Sequence, residues 1–366
     1  MKVFSLFSGI GAFEYALHKV WKKDVKTIWF SEIDKFAKMV YKYKYGVNIH
    51  DYGNILNIDP KMIPDFDILV WWPPCQPYSS IWKRLWAADP RWEPLVMKYI
   101  EILKVKRPKV FVFENVKWLL DNKFKDYFEQ ILLLMEELGY TLEYKLLNTA
   151  DYWIPQRRKR IFIIWYLSNE YQWILNLPKK KLNKSFSDIL LDIQNIEDKY
   201  IYTKNPLDFM IRDVKFKDSI RKRIDMWTAF DTDIKLSPTL TANLSHWYPT
   251  NFLIDRRYIN NNYCKFWFNN CQFMWQEDVC NWCDNGCNYQ EIYPIGAIIP
   301  MVRKIHPIEA ERLQWMVDNY TKYGINEKWE IKEISDTQRY RQIWNSISIN
   351  VLELILKNIK KSNLIK

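Results

Sequence analysis

Glycine is scarce in this chain: there are 8 in 366 residues, against 19 tryptophans. Globular proteins use glycine at about 7% of positions, because turns with positive φ call for it. Counted together, the two residue types make 27 of 366 positions, about 7.4%, an ordinary share for glycine alone. Long apolar runs are also missing, which excludes a helix that spans a bilayer. No secretory leader opens the chain, since Met1-Lys2-Val3-Phe4 runs straight into a strand. Cysteine is sparse, six residues, and in the soluble, cytoplasmic protein that these absences imply the thiols stay reduced. Acidic residues are outnumbered, 43 against 54 Lys and Arg, for a net charge of +11 and a pI near 9.1. That balance favours a polyanionic partner, nucleic acid before an anionic membrane, although the charges are spread along the chain.

What the chain does have is a strand–helix alternation long enough for one large domain and a smaller one. Apolar runs predict strands over 2–7, 27–31, 67–70, 110–114, 140–147 and 161–167, with helices over 12–20, 95–104 and 126–138 between them. Such alternation implies an α/β fold, a mostly parallel Rossmann-like sheet covered on both faces. Ser8-Gly9-Ile10-Gly11 follows the first strand, and Glu32 ends the second. A glycine turn at a helix N-terminus, with an acidic residue about 20 positions on, suits a nucleoside cofactor. The third glycine of the dinucleotide fingerprint would fall at Glu14, so NAD is not supported.

The stretch LVWWPPCQPYSS, 69–80, runs from a strand into two prolines and then Cys75. Without context a free cysteine is a small buried hydrophobe; at the carboxyl end of a strand, beside a proline-locked loop, it can be a nucleophile. Glu114 in FVFENV lies on that same sheet edge, as a helix cap or a working carboxylate. Gln156-Arg157-Arg158-Lys159-Arg160 is a basic turn in which alternation aims Arg158 and Arg160 to one side. From about 168 to 300 the pattern becomes irregular and rich in Lys and Asn, as in a separate, loop-rich module. Within it, Ser237 to Asn243 is a compact polar turn suited to backbone and base contacts. Cys280, Cys283 and Cys287 have metal-like spacing without a second pair to complete a standard zinc pattern, so a structural zinc and plain reduced thiols both stand. The chain closes with a helix starting at Pro307 and an amphipathic helix over 351–361.

Seven motifs in order, FSGIGAFE (7–14), SEID (31–34), PPCQPYS (73–79), ENV (114–116), QRRKR (156–160), RKIHPIEAERLQ (303–314) and YRQIWNSI (340–347), make the chain resemble the cytosine-C5 DNA methyltransferases. The resemblance covers nearly the whole chain. It implies the class I S-adenosylmethionine methyltransferase fold, with 1–170 and 336–366 as the catalytic domain. Residues 171–335 would be a target recognition domain with its hinge segment, the variable part being about 171–302. It implies Cys75 as nucleophile, Glu114 as partner of the base, and Arg158 and Arg160 as its clamps. The cofactor pocket would hold Phe7, Gly9, Gly11, Glu32, Ile33, Pro74 and Asn345. Asn54, Ile55 and Leu95 would join them, although the family usually has aspartate where Asn54 stands. Gln76, Ser79, Thr239, Thr241 and Arg303 would meet DNA. The implied partner is duplex DNA, acted on by a monomer that marks self DNA against a cognate restriction endonuclease. A tRNA cytosine methyltransferase and a catalytically dead DNA-binding homologue are the alternatives. The same resemblance sets tryptophan where the family has glycine at Trp71 or Trp72, Trp92, Trp118, Trp153, Trp165, Trp315 and Trp344. A UGA codon that the source reads as glycine accounts for this most economically.

Overall fold

The computed structural model describes residues 1–71, 93–120, 125–167, 175–203, 230–231, 252–255, 301–362 and 364–365. These divide into two compact units, 1–183 with 310–366, and 184–309. In the first unit, β1 (Lys2–Leu6), β2 (Lys26–Ser31), β3 (His50–Asp51), β4 (Ile68–Trp71), β5 (Val110–Val116), β6 (Tyr140–Asn148) and β7 (Lys159–Leu167) form one sheet. Their order is β3-β2-β1-β4-β5-β7-β6. The pairs β2–β3, β1–β2, β1–β4 and β4–β5 are parallel, and β7 alone runs antiparallel to its neighbours β5 and β6. The order reverses at β1, so the crevice beyond the carboxyl ends of β1 and β4 is where such a sheet binds its ligands.

The near-continuous apolar strands are explained by burial on both faces. Val3, Ile68, Val70, Val110, Val112, Ile164 and Tyr166 face one core, which includes Ala16 and Leu17 of α1 (Ala12–Trp21). The alternate positions Phe4, Leu69, Trp71, Phe111, Phe113, Ile161, Ile163 and Trp165 face the other. Tyr99 and Leu103 of α3 (Glu93–Lys106), the next helix after α2 (Lys35–Tyr45) among the described residues, belong to that second core. The split follows from the two-residue period of an extended chain. Each fully buried side chain of this size contributes roughly 1.5–3 kcal/mol relative to exposure. After α4 (Lys125–Glu137) and α5 (Pro307–Arg312) come a short hairpin, β12 (Tyr323–Ile325) with β13 (Ile331–Glu333), and two helices, α6 (Asp336–Asn345) and α7 (Ile349–Lys361). In α7, Leu352, Ile355, Leu356 and Ile359 form one buried stripe.

Residues 310–335, which the sequence reading joins to the recognition segment, fall in the first unit. The hairpin packs on α2, and it does so closely: a Cβ on Gly324 would lie 2.9 Å from the backbone carbonyl carbon of Met39. Only glycine permits that approach. In the second unit, β8 (Ile201–Thr203), β9 (Phe230–Asp231), β10 (Phe252–Asp255) and β11 (Met301–Lys304) form a sheet ordered β8-β11-β10-β9. Among the described residues no helix is long and apolar enough to cross a membrane.

Candidate active site

A cavity of about 350 Å³ opens at the carboxyl edge of the first unit's sheet, within the size range of small-ligand sites. One wall is the turn after β1. Phe7 (φ 54°), Gly9 (φ 55°) and Gly11 (φ 76°) all take left-handed backbone there. For Phe7 that is a sparsely populated conformation, of the kind that persists where a site demands it. At Gly11 a Cβ would come within 2.2 Å of Tyr45 Cε2. The space is closed because the Tyr45 hydroxyl donates to the Gly11 carbonyl (2.5 Å) and the Tyr320 hydroxyl donates to that of Ile10 (3.1 Å). The turn is therefore clamped from α2 and from the segment before the hairpin.

Glu32 completes this wall. Its Oε2 accepts from the Gly9 N–H, and its Oε1 accepts from the N–H groups of Ile33 and Asp34, each at 2.8 Å. Burial raises its pKa, and the same three N–H donors oppose that rise. A carboxylate offers about four lone-pair sites, so roughly one remains for a ligand hydroxyl. Ile33 stands 69% exposed at the mouth of the cavity. Asn54, Ile55 and Leu95 also line it.

The opposite wall comes from β5, β7 and α6. Glu114 lies across the ladder from Phe162, with Arg160 opposite Val116, so Glu114 and Arg160 are diagonal neighbours on one face. Arg160 Nε is 3.1 Å from Glu114 Oε1, without the alignment of a hydrogen bond. Arg158 is buried, and its Nη2 donates to the carbonyls of Trp344 (3.1 Å) and Ser346 (2.7 Å), tying the residue before β7 to the end of α6. The Trp344 ring lies 5.3 Å from the Arg158 guanidinium and 6.0 Å from that of Arg160. Asn345 lines the cavity too, as do Asn115 and Gln342, which the sequence reading did not single out. Of the expected pocket residues, Phe7, Gly9, Glu32, Ile33, Asn54, Ile55, Leu95, Glu114, Arg158, Arg160 and Asn345 therefore share one cavity. Gly11 sits just behind the turn.

Cys75, Pro74, Gln76, Ser79, Thr239, Thr241, Cys280, Cys283 and Cys287 lie outside the described residues. Arg303 requires a correction. Expected at DNA, it is fully buried on β11. Its Nε donates to Asp255 (2.9 Å), and its Nη1 and Nη2 donate to the two oxygens of Glu309 (2.8 Å each). A guanidinium forked onto two carboxylates in the interior is a structural tie, with its charge already neutralised.

The profile of the family described as C-5 cytosine-specific DNA methylase matches residues 1–361. The type II methyltransferase M1.ScrFI of Lactococcus lactis subsp. cremoris is 30% identical over 98% of this chain and 77% of its own. The type II methyltransferase M.Bsp6I of Bacillus sp. (strain RFL6) is 25% identical from end to end of both chains. Among solved structures, the Entamoeba histolytica methyltransferase EhMeth superposes with a TM-score of 0.68 over 99% of this chain and 98% of its own, at 19% identity.

Proposed function

Since the chain belongs to the C-5 cytosine-specific DNA methylases, we propose that it methylates C5 of a cytosine flipped out of a specific duplex DNA sequence. The observation that carries this reading is one cavity with two unlike walls. A glycine turn braced by Glu32 faces Glu114, Arg158 and Arg160 across it. The first wall fits an adenosyl group, with the spare lone pair of Glu32 accepting a ribose hydroxyl and the half-buried turn shielding it from water. Bound there, S-adenosylmethionine would supply an electrophilic methyl group.

The second wall fits the base. Cytosine C5 is too electron-poor to take a methyl group, and stacking hides it until the base is flipped, at a cost of a few kcal/mol. The Cys75 thiolate, in the motif at 73–79, adds to C6 and pushes the C5–C6 π pair towards C5 and N3. Glu114 delivers a proton to N3 and accepts from the exocyclic amino group, so no net anion is left on the ring. Arg160 beside Glu114 fixes that carboxyl, and the two arginines favour the thiolate form of Cys75. C5 would then take the methyl group with its electron pair, the departing thioether keeping the S–C pair; N3 returns its proton to Glu114, water removes the C5 proton, and the C5–H pair restores the double bond as Cys75 leaves with the C–S pair.

The unit at 184–309 is the proposed reader of the target sequence, and the protein acts as a monomer. Relatives named as type II methyltransferases support a role in marking self DNA against a partner endonuclease. Methyl-labelled cofactor offered with duplex DNA and with tRNA tests the reading. Label recovered as 5-methylcytosine in duplex DNA is expected. Label in tRNA favours the RNA alternative, and DNA binding without transfer favours the inactive homologue.

A further inference from the structure

The sheet of the first unit ends at β6, nine residues long and hydrogen-bonded to β7 on one side. The phase of that pairing can be read from its ends. The Thr149 N–H bonds the Arg158 carbonyl, and the Leu167 N–H turns away from β6 to bond the Lys109 carbonyl. Antiparallel alternation then points the backbone groups of Thr141, Glu143, Lys145 and Leu147 at β7. Those of Tyr140, Leu142, Tyr144, Leu146 and Asn148 point outwards, and among the described residues no strand meets them. Native proteins hide or blunt a long edge of this kind. Here two large apolar side chains stand on it open to solvent, Tyr144 at 46% exposure and Leu146 at 44%. Glu143 makes no ion pair among the described residues.

We propose that this edge binds a second copy of the chain, β6 against β6, about a two-fold axis through Tyr144. The strand reads YTLEYKLLN, and in that register it is complementary to itself. Tyr144 faces its own copy and Leu142 faces Leu146, in pairs whose outward N–H and C=O groups bond one another. Glu143 faces Lys145 twice, in the closer pairs that exchange no backbone bonds. Moving the axis by one residue keeps the hydrogen-bond phase but sets Glu143 against Glu143, or Lys145 against Lys145. Charge therefore selects the register. Lys145 already donates to the Leu175 carbonyl; an ammonium has three N–H groups, so two remain for the facing carboxylate. Charges on an edge can also keep it unpaired, but these two are placed so that opposite signs meet. No residue of β6 lines the cavity, so each copy keeps its own site and one chain remains the catalytic unit. The assembly is an isologous pair of complete enzymes.

Sedimentation of the full chain over about 1–100 µM tests this, with two charge reversals. The parent should pass from the mass of one chain to that of two. Glu143→Lys alone and Lys145→Glu alone each set like charges across the axis, and each should weaken pairing roughly tenfold or more. Mixed together, the two variants present opposite charges to each other at both positions and should associate about as well as the parent. Misfolding of either variant could not produce that rescue. Amide exchange in the peptide carrying β6 should slow as the parent is concentrated. A parent of single-chain mass throughout overturns the proposal. So does a pair that neither reversal weakens, a mixture of the two variants that fails to associate, or exchange in β6 that ignores concentration.

Discussion

At the scale of single residues, the site is a set of ionisable groups whose states depend on what surrounds them. Glu14 is an example beside the glycine turn after β1. It is fully buried on α1, it accepts from the Tyr41 hydroxyl (3.0 Å), and burial lifts its pKa from 4.5 to about 7. Between those two values the folded chain holds a proton that the unfolded chain has released. Stability therefore falls as pH rises from about 4.5 to 7 and levels off above, the loss being at most about 3 kcal/mol. Glu14→Gln keeps an acceptor for Tyr41 and removes the titration. Its gain in Tm over the parent should grow from pH 5 to pH 8; a gain independent of pH would contradict the assignment. The placement of such residues on one cavity is legible where the motif fixes the geometry. Glu32 follows β2 and Glu114 lies near the carboxyl end of β5, and such places can be located from apolar runs. Arg303 was not legible in this way. Its partners Asp255 and Glu309 are 48 and 6 residues away, and nothing local to an arginine tells whether carboxylates or phosphates will surround it. Gln342 was missed for the same reason, because which side chains line a cavity is a property of the packed interior.

At the scale of elements, the backbone bears on the tryptophans. Helix α5 runs into a turn in which the Trp315 N–H bonds the Arg312 carbonyl and the Met316 N–H bonds the Glu311 carbonyl. This is the Schellman pattern, whose left-handed position is the usual place of glycine, and here it is Trp315 at φ 63°. In the β12–β13 hairpin the Trp329 N–H bonds the Asn326 carbonyl, and Trp329 has φ 65°, again where hairpin loops carry glycine. Trp153, at φ 69°, closes the short helical turn Thr149–Tyr152. Left-handed backbone costs a residue with a Cβ roughly 1–2 kcal/mol. Three separate turns thus ask for the residue that composition already shows to be short. Peptide mass spectrometry of the protein from its own cells is expected to find glycine at 153, 315 and 329. If the residues are tryptophan, the recoding idea fails. As a second check, the triple Trp→Gly chain should melt higher than the chain as written, by an amount on the order of 2–5 kcal/mol in stability. The central strands β1, β4, β5 and β7 were legible because each is an apolar run buried on both faces. The two-residue β3 and the polar hairpin were not, since neither carries a period long enough to read. Their places are set by tertiary contacts such as Gly324 against Met39.

At the scale of the whole molecule, a net charge of +11 bears on how DNA is bound. Affinity for duplex should fall steeply with salt, with log K linear in log salt and a slope near −0.9 per phosphate neutralised. An affinity indifferent to salt would point to a small-molecule substrate. Exchanging the 184–309 unit for that of a relative should change which sequence is modified and leave the chemistry unchanged. Unchanged specificity would remove the reader role from that unit. The central claim is covalent catalysis by Cys75 on a flipped cytosine, and one trapping measurement addresses it without knowledge of the target sequence. In duplex DNA with every cytosine replaced by 5-fluorocytosine, C5 keeps its fluorine after methyl transfer, so the double bond cannot be restored and Cys75 cannot leave. Incubated with this duplex and S-adenosylmethionine, the parent chain should form a denaturation-resistant adduct that maps to the peptide carrying Cys75, and Cys75→Ser should form none. Methylation of ordinary duplex without any trapped adduct, or an adduct on another residue, would contradict the account.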